Sequence, residues 1–346
     1  MKPAFNWNLY QFYAYRNEAT PAVQWLGHAT SPPMDHCHDR TMADRALREG
    51  QTAVVVTAGG NGTRLGFEKP KGMYPIGPKG ESLFQLHFEK VVALTGRYGC
   101  SIPYCVMVSD KTQEKTVTFL RENDFFGLLC EDVYIFKQDS IPVLTLNGTP
   151  FLDEKGTCAT SPDGHGGLLA AITNHENGCV LDQLQDRGIR YLFYHQIDLP
   201  FVEIGSRELL GSHIESGADM TCLVLHKQSP TDPMGTFFVD GETQRAHCIE
   251  YSEIPAQEAA VTNPDGSLKF WAGNAGVQVY SLDFLKRSRD IELPLHPVLK
   301  NQHWQFERFL FDLMPYAVVT FVESNSPLDR MVLKRKEHIP CIISQW

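Results

Sequence analysis

Ala53 to Thr57 is a short apolar, β-branched run that ends in glycines at 59, 60, 62 and 66. A run of that length bounded by turn residues reads as a buried strand emptying into a loop. Behind Ser82, with Gln85 three residues on, Phe84, Phe88, Val91 and Val92 recur at helical spacing. They predict an amphipathic helix over 82–94 opened by a capping box. Further along, Ile102–Ser109 predicts a strand, 111–123 a helix, and Val133–Lys137 a strand closing in Gln138-Asp139-Ser140. Leu168–Asn174 reads as a helix, and Tyr191–Ile197 and Ala218–His226 as strands. Phe306, Phe309 and Leu310 share one face of a helix predicted over 306–312. Strands alternating with helices predict an α/β sheet, with ligands at the carboxyl ends of its strands.

Composition narrows the class. A net charge of -10 excludes a non-specific nucleic-acid binder, so cations near the glycine loop are local features. No stretch approaches the roughly 20 apolar residues of a membrane span, and the N-terminus lacks an apolar run before a small-residue cleavage site. The 9 cysteines form no C-x-x-C pair, which reads as free thiols in a reducing, cytoplasmic compartment. His36-Cys37-His38 invites a metal, but adjacent ligands suit one ion poorly. The expected organisation is a lead-in over 1–50 packing on the core and ending in a helix over 41–50, a catalytic domain over 51–320, and a short tail over 321–346.

The glycine segment carries the clearest chemistry. Backbone that wraps its N–H groups around an anion needs positions without a Cβ, and Gly59, Gly60, Gly62 and Gly66 provide them after Ala58, with the Thr63 hydroxyl and the Arg64 cation among them. Lys69 and Lys71 follow within one loop length. Neither the Walker spacing nor the dinucleotide fingerprint is met. A polyphosphate site is the functional reading, and a plain turn the structural one. Likewise, Asp163-Gly164-His165-Gly166-Gly167 at a predicted helix start can admit a base or sugar, or be only a loop. Asp198 ends a strand and can hold Mg²⁺ or cap a turn.

GGNGTRLG followed by PKGMYPIG resembles the signature of the UTP-dependent sugar-1-phosphate uridylyltransferases, and most of all the UDP-N-acetylglucosamine pyrophosphorylases. Further segments are similar in the same order. These are Asp163–Gly167 with His165 in place of asparagine, the segment ending at Gly235, Ile249–Ile254, Ala272-Gly273-Asn274 after Trp271, and Phe306–Asp312. The resemblance runs from about residue 45 to about residue 330. It implies a nucleotide-diphospho-sugar transferase fold, a mixed, mostly parallel sheet of Rossmann-like kind flanked by helices. It also implies UTP and a hexose 1-phosphate, first N-acetylglucosamine 1-phosphate, as substrates, with UDP-sugar and pyrophosphate as products. Glucose 1-phosphate as acceptor and a non-catalytic UDP-sugar sensor are the alternatives.

The same resemblance assigns roles. Arg64 and Lys71 are the catalytic cations, and Gln138, Gly164 and His165 join the glycine loop in holding the nucleotide. Asp198 carries Mg²⁺, while Gly235, Glu250 and Asn274 meet the sugar. Gln138 is expected to pair with a carbonyl and an N–H of uracil, and Asn274 both to donate and to accept. Phe306–Asp312 is expected to support the site without touching substrate. One departure stands out: the family has a lysine shortly after Ser-Pro-Leu, where this chain has Asp329. Arg330, Lys334 or Lys227 is left to supply the charge. The end at Trp346, where eukaryotic relatives continue, reads as a minimal catalytic core.

Overall fold

The computed structural model describes residues 26–174 and 178–346. Its strands are β1 (Thr52–Thr57), β2 (Tyr104–Val108), β3 (Val133–Lys137), β4 (Ser140–Pro142), β5 (Leu144–Thr145), β6 (Thr160–Pro162) and β7 (Tyr191–Gln196). They continue as β8 (Met220–His226), β9 (Thr236–Val239), β10 (Ala246–Ile249), β11 (Ala272–Ser281), β12 (His296–Lys300), β13 (His303–Glu307) and β14 (Val319–Glu323). Among the described residues the main sheet runs β10-β9-β11-β7-β1-β2-β3, with β8 beside β11 and β14 beside β8. Strands β7, β1, β2 and β3 are mutually parallel, and β14 is parallel to β8. The long β11 runs antiparallel to β7, β8 and β9, which makes the sheet mixed.

Both faces are covered, which is why β1 is apolar without alternation. Ala53 and Val55 enter one core with Leu168, Ile172 and Tyr194, while Val54 and Val56 enter the other with Phe84, Phe88 and Tyr104. The helix behind β1 spans Leu83–Tyr98, and Ser82 Oγ accepts from Gln85 N–H at 3.1 Å. The Gln85 side chain also reaches along the helix, its Nε2 donating to Glu89 Oε1 at 2.8 Å. Other predicted elements lie close to their expected limits, among them helices at Thr41–Arg48, Gln113–Glu122 and Gly167–Thr173.

Two expectations are corrected. Phe306–Asp312 is not a helix: Phe306 lies in β13, hairpinned with β12, and a 3-10 turn begins at Leu310. Its apparent helical spacing comes from one inward strand residue followed by a turn. The expected boundary at 320 falls inside β14, whose pairing with β8 makes this segment part of the sheet. Beyond it, Leu333 and Ile342 are buried in the core around β1. At the other end, Thr30 bridges Val239 and Asp35 bridges Val322, so described residues of the lead-in also seal sheet edges. The part of the lead-in before residue 26 lies outside the described residues.

Candidate active site

Parallel strands bring their carboxyl ends together, and the polar clusters read from the sequence follow those ends. Ala58-Gly59 leaves β1, Ser109 leaves β2, Gln138 leaves β3, and Asp198 lies just beyond β7. Strand β1 has β2 on one side and β7 on the other, so the order reverses there and opens a crevice of the kind that binds ligands.

The glycine loop is folded back on itself. Gly62 N–H donates to Lys69 O at 2.9 Å and Lys71 N–H to Gly60 O at 3.0 Å. This closure swings the Lys71 ammonium across the crevice to Asp198 Oδ2, 3.0 Å away. The pair is largely buried, with side chains 19% and 9% exposed. Burial would raise the Asp198 carboxyl, but Lys71 and Lys334 outweigh it and hold the group below the usual carboxylate range. Its other oxygen, Oδ1, is buried without a hydrogen-bond partner among the described residues. Such an orphan acceptor is where a cation would be satisfied. Thr63 and Arg64 are exposed on the loop, and nothing lies within 4 Å of the place a Gly60 Cβ would take.

Gln138 is held differently from expectation. Its Nε2 donates to Asp163 Oδ1 and to Gly164 O, both at 2.9 Å. Both neighbours are acceptors, which fixes the amide orientation and consumes both hydrogens. Oε1 remains, facing Gly59, where a Cβ would fall inside contact distance of it. Gln138 can therefore accept from a base N–H but not also donate to a base carbonyl. Burial raises the Asp163 carboxyl to about 6 against the opposing influence of Gln138 and Arg308.

The loop from Asp163 to Gly167 owes its glycines to close packing. A Cβ at Gly166 would come within 2.6 Å of the Arg308 carbonyl carbon, and Gly166 N–H donates to Arg308 O at 2.8 Å. His165 Nδ1 accepts from Leu310 N–H at 3.1 Å, and its ring stacks on Phe309 at 5.4 Å. Burial lowers this imidazole to about 4, so it is neutral and carries its proton on Nε2. The segment after β13 thus braces the loop from Asp163 to Gly167.

Gly235, Glu250 and Asn274 converge. Asn274 N–H donates to Gly235 O at 2.8 Å, and a Cβ at Gly235 would lie 3.4 Å from Glu250 Oε2. Asn274 Oδ1 already accepts from Gly276 N–H at 2.8 Å and Gln278 Nε2 at 3.2 Å. Its amide is thus chiefly a donor, contrary to the expected dual role. Burial raises the Glu250 carboxyl to about 7, although Lys334 opposes the shift. Trp271 turns aside and stacks on His226 at 4.7 Å.

A group that sequence reading missed underlies this half. His296 donates to Glu253 Oε1 at 2.7 Å and to Asp312 Oδ2 at 3.0 Å. Burial disfavours the imidazolium, yet the two carboxylates raise His296 to about 10. The bridge ties the Ile249–Ile254 segment to the Phe306–Asp312 segment, and no local pattern around His296 announces it. A His296 raised from 6.5 to about 10 contributes stability that is complete below pH 6.5 and is lost as pH rises through 10. His296→Gln is therefore expected to cost about 3–5 kcal/mol at neutral pH, as for one member of a buried ion pair. In urea unfolding followed across pH, its deficit should narrow toward alkaline pH. An unchanged gap would rule the bridge out.

Asp329, where the resemblance leads one to expect a lysine, is bound to Ser324. Its Oδ2 accepts from Ser324 Oγ at 2.5 Å, and burial raises its carboxyl while Lys90 opposes the rise. Lys90 itself donates to Pro200 O at 2.6 Å and Val202 O at 3.0 Å, holding the loop after Asp198. His36-Cys37-His38 belongs to no group of three or more metal-ligating side chains among the described residues.

The fold is that of the nucleotide-diphospho-sugar transferases. A solved UDP-N-acetylglucosamine pyrophosphorylase from Trypanosoma brucei matches with a TM-score of 0.76 and 23% identity, over 88% of this chain and 66% of that one. The chain belongs to the UTP–glucose-1-phosphate uridylyltransferase family, whose pattern matches residues 6–313. It is 34% identical over 300 residues to UDP-N-acetylhexosamine pyrophosphorylase-like protein 1 from Homo sapiens, covering 79% of this chain and 58% of the relative. It is 33% identical over 250 residues to UDP-N-acetylglucosamine pyrophosphorylase from Saccharomyces cerevisiae, covering 71% and 51%. The chain thus spans less than two thirds of the length of these relatives.

Proposed function

We propose that this chain transfers the uridylyl group of UTP to a hexose 1-phosphate, first N-acetylglucosamine 1-phosphate, releasing pyrophosphate. The observation that carries this reading is the Lys71–Asp198 pair at the strand-order reversal, with Asp198 Oδ1 left unbonded. A phosphate oxygen of the sugar substrate attacks the α-phosphorus of UTP in line. The new P–O bond forms as the bond to the β-phosphate bridge breaks, and pyrophosphate leaves with the electron pair.

No protein nucleophile is required, so the side chains position substrates and stabilise charge. Glycine-loop N–H groups and Arg64 hold the β- and γ-phosphates, and Lys71 spans toward the attacking phosphate. Gln138 Oε1 accepts the uracil ring N–H, which a cytosine lacks. On the sugar side, Asn274 Nδ2 donates and Glu250 meets the hydroxyls. Asp198 Oδ1 would hold Mg²⁺, which when bound neutralises phosphate charge; one carboxylate suffices because phosphates and waters complete its octahedral shell.

Pyrophosphate release with UTP against a panel of sugar 1-phosphates tests the reading. Release is expected with UTP and not CTP, and highest with N-acetylglucosamine 1-phosphate. Binding of UDP-sugar without any release would mark a sensor and overturn catalysis. Preference for glucose 1-phosphate would correct only the acceptor. The two acceptors differ at one substituent, which is worth about 1–3 kcal/mol unless a buried polar group is stranded.

A further inference from the structure

We propose that Lys334 supplies the second phosphate-holding cation of this site, carried there by the tail segment that crosses behind Asp198. The inference rests on the uridylyltransferase reading above. Leu333 N–H donates to Asp198 O at 2.8 Å, which fixes the next residue beside the metal aspartate. From there the Lys334 side chain reaches the loop before Gly235, where Nζ is 3.4 Å from Pro233 O. That contact is long, so the ammonium keeps most of its donor capacity. It stands between the Asp198 side and the Gly235–Glu250 side, where a sugar phosphate must lie if the sugar meets Glu250 and its phosphate meets the metal.

The other candidates have different surroundings. Lys227 is buried with its Nζ donating to Thr236 Oγ1 at 3.0 Å, and Arg330 lies toward Asp232, its Nη1 3.9 Å from that carboxylate and outside hydrogen-bond distance. Asp329 is bound to Ser324 and lies near Lys90. Lys336 comes over the glycine loop, where a Cβ at Gly66 would lie 2.6 Å from its Nζ. The charge-reversed position 329 therefore does not strip the site of a cation. The cation is displaced along the chain to residue 334.

The test compares Lys334→Ala, Lys334→Arg and Arg330→Ala, each checked for an unchanged thermal midpoint. UDP-N-acetylglucosamine binding is measured calorimetrically in EDTA, and turnover separately with Mg²⁺. Loss of one charge-assisted contact is expected to weaken metal-free binding by Lys334→Ala about 10- to 100-fold. Turnover should fall about 10²-fold. Lys334→Arg should recover part of both, and Arg330→Ala should stay within a few-fold of the parent. Parent-like binding and turnover by Lys334→Ala would overturn the assignment. A parent chain that neither binds UDP-sugar nor releases pyrophosphate would instead remove the uridylyltransferase reading, and this inference with it.

Discussion

Lys71→Ala is expected to lower UDP-sugar formation about 10²- to 10³-fold, the loss typical of one preorganised donor aimed at transition-state charge. The lysine is preorganised from its backbone outward. Its N–H is fixed to Gly60 O at 3.0 Å and its ammonium to Asp198 Oδ2 at 3.0 Å, so no side-chain ordering is left for the reaction. Removing it also takes a cation from beside Asp198, so the carboxyl should titrate higher, while a dication placed there would meet less repulsion. Steady-state kinetics at several Mg²⁺ concentrations should therefore show a reduced kcat that added metal does not restore. Near-normal kcat at saturating metal would sink the catalytic assignment of Lys71.

Gly59→Ala should weaken UTP binding on the order of 10²-fold, because two buried hydrogen bonds are put at risk. The new methyl would overlap Gln138 Oε1, and Ser109 Cβ stands 3.4 Å away on the other side. Gln138 cannot retreat without releasing Asp163 Oδ1 and Gly164 O, so its amide and the loop behind it shift together. Gly60→Ala is the control, since nothing in the described structure lies within 4 Å of its Cβ. Any loss there would come from the ligand's own phosphates. Calorimetry with UTP on the two variants separates these causes, and parent-like affinity in Gly59→Ala would show that Gln138 does not read the base.

Much of this could be read from residue order. The β1 run, the glycines after it and Asp198 at the end of β7 are local patterns, and parallel pairing alone brings their carboxyl ends together. What the sequence hid is the second use of each polar group. Gln138 and Asn274 have the right chemistry for ligands, but half of each amide is spent on the protein, and only tertiary neighbours decide which half. His296 was invisible for the same reason: its meaning lies in Glu253 and Asp312, which are distant along the chain. Phe306–Asp312 misled because strand and turn can imitate helical spacing over seven residues. The 321–346 segment resembled an appendage because β14 is short and its partner β8 is remote in sequence.

The bond from Leu333 N–H to Asp198 O also orders events in time. On a chain emerging from its N-terminus, the glycine loop and Asp198 appear early, but the crevice wall remains open until β14 has inserted beside β8 and Leu333 has closed behind the aspartate. A nascent chain that has reached only β11 would already hold most of the polyphosphate cradle while lacking the lysine assigned here to the sugar phosphate. The cradle proposed for the phosphates would then form before the segment that carries Lys334 closes behind Asp198.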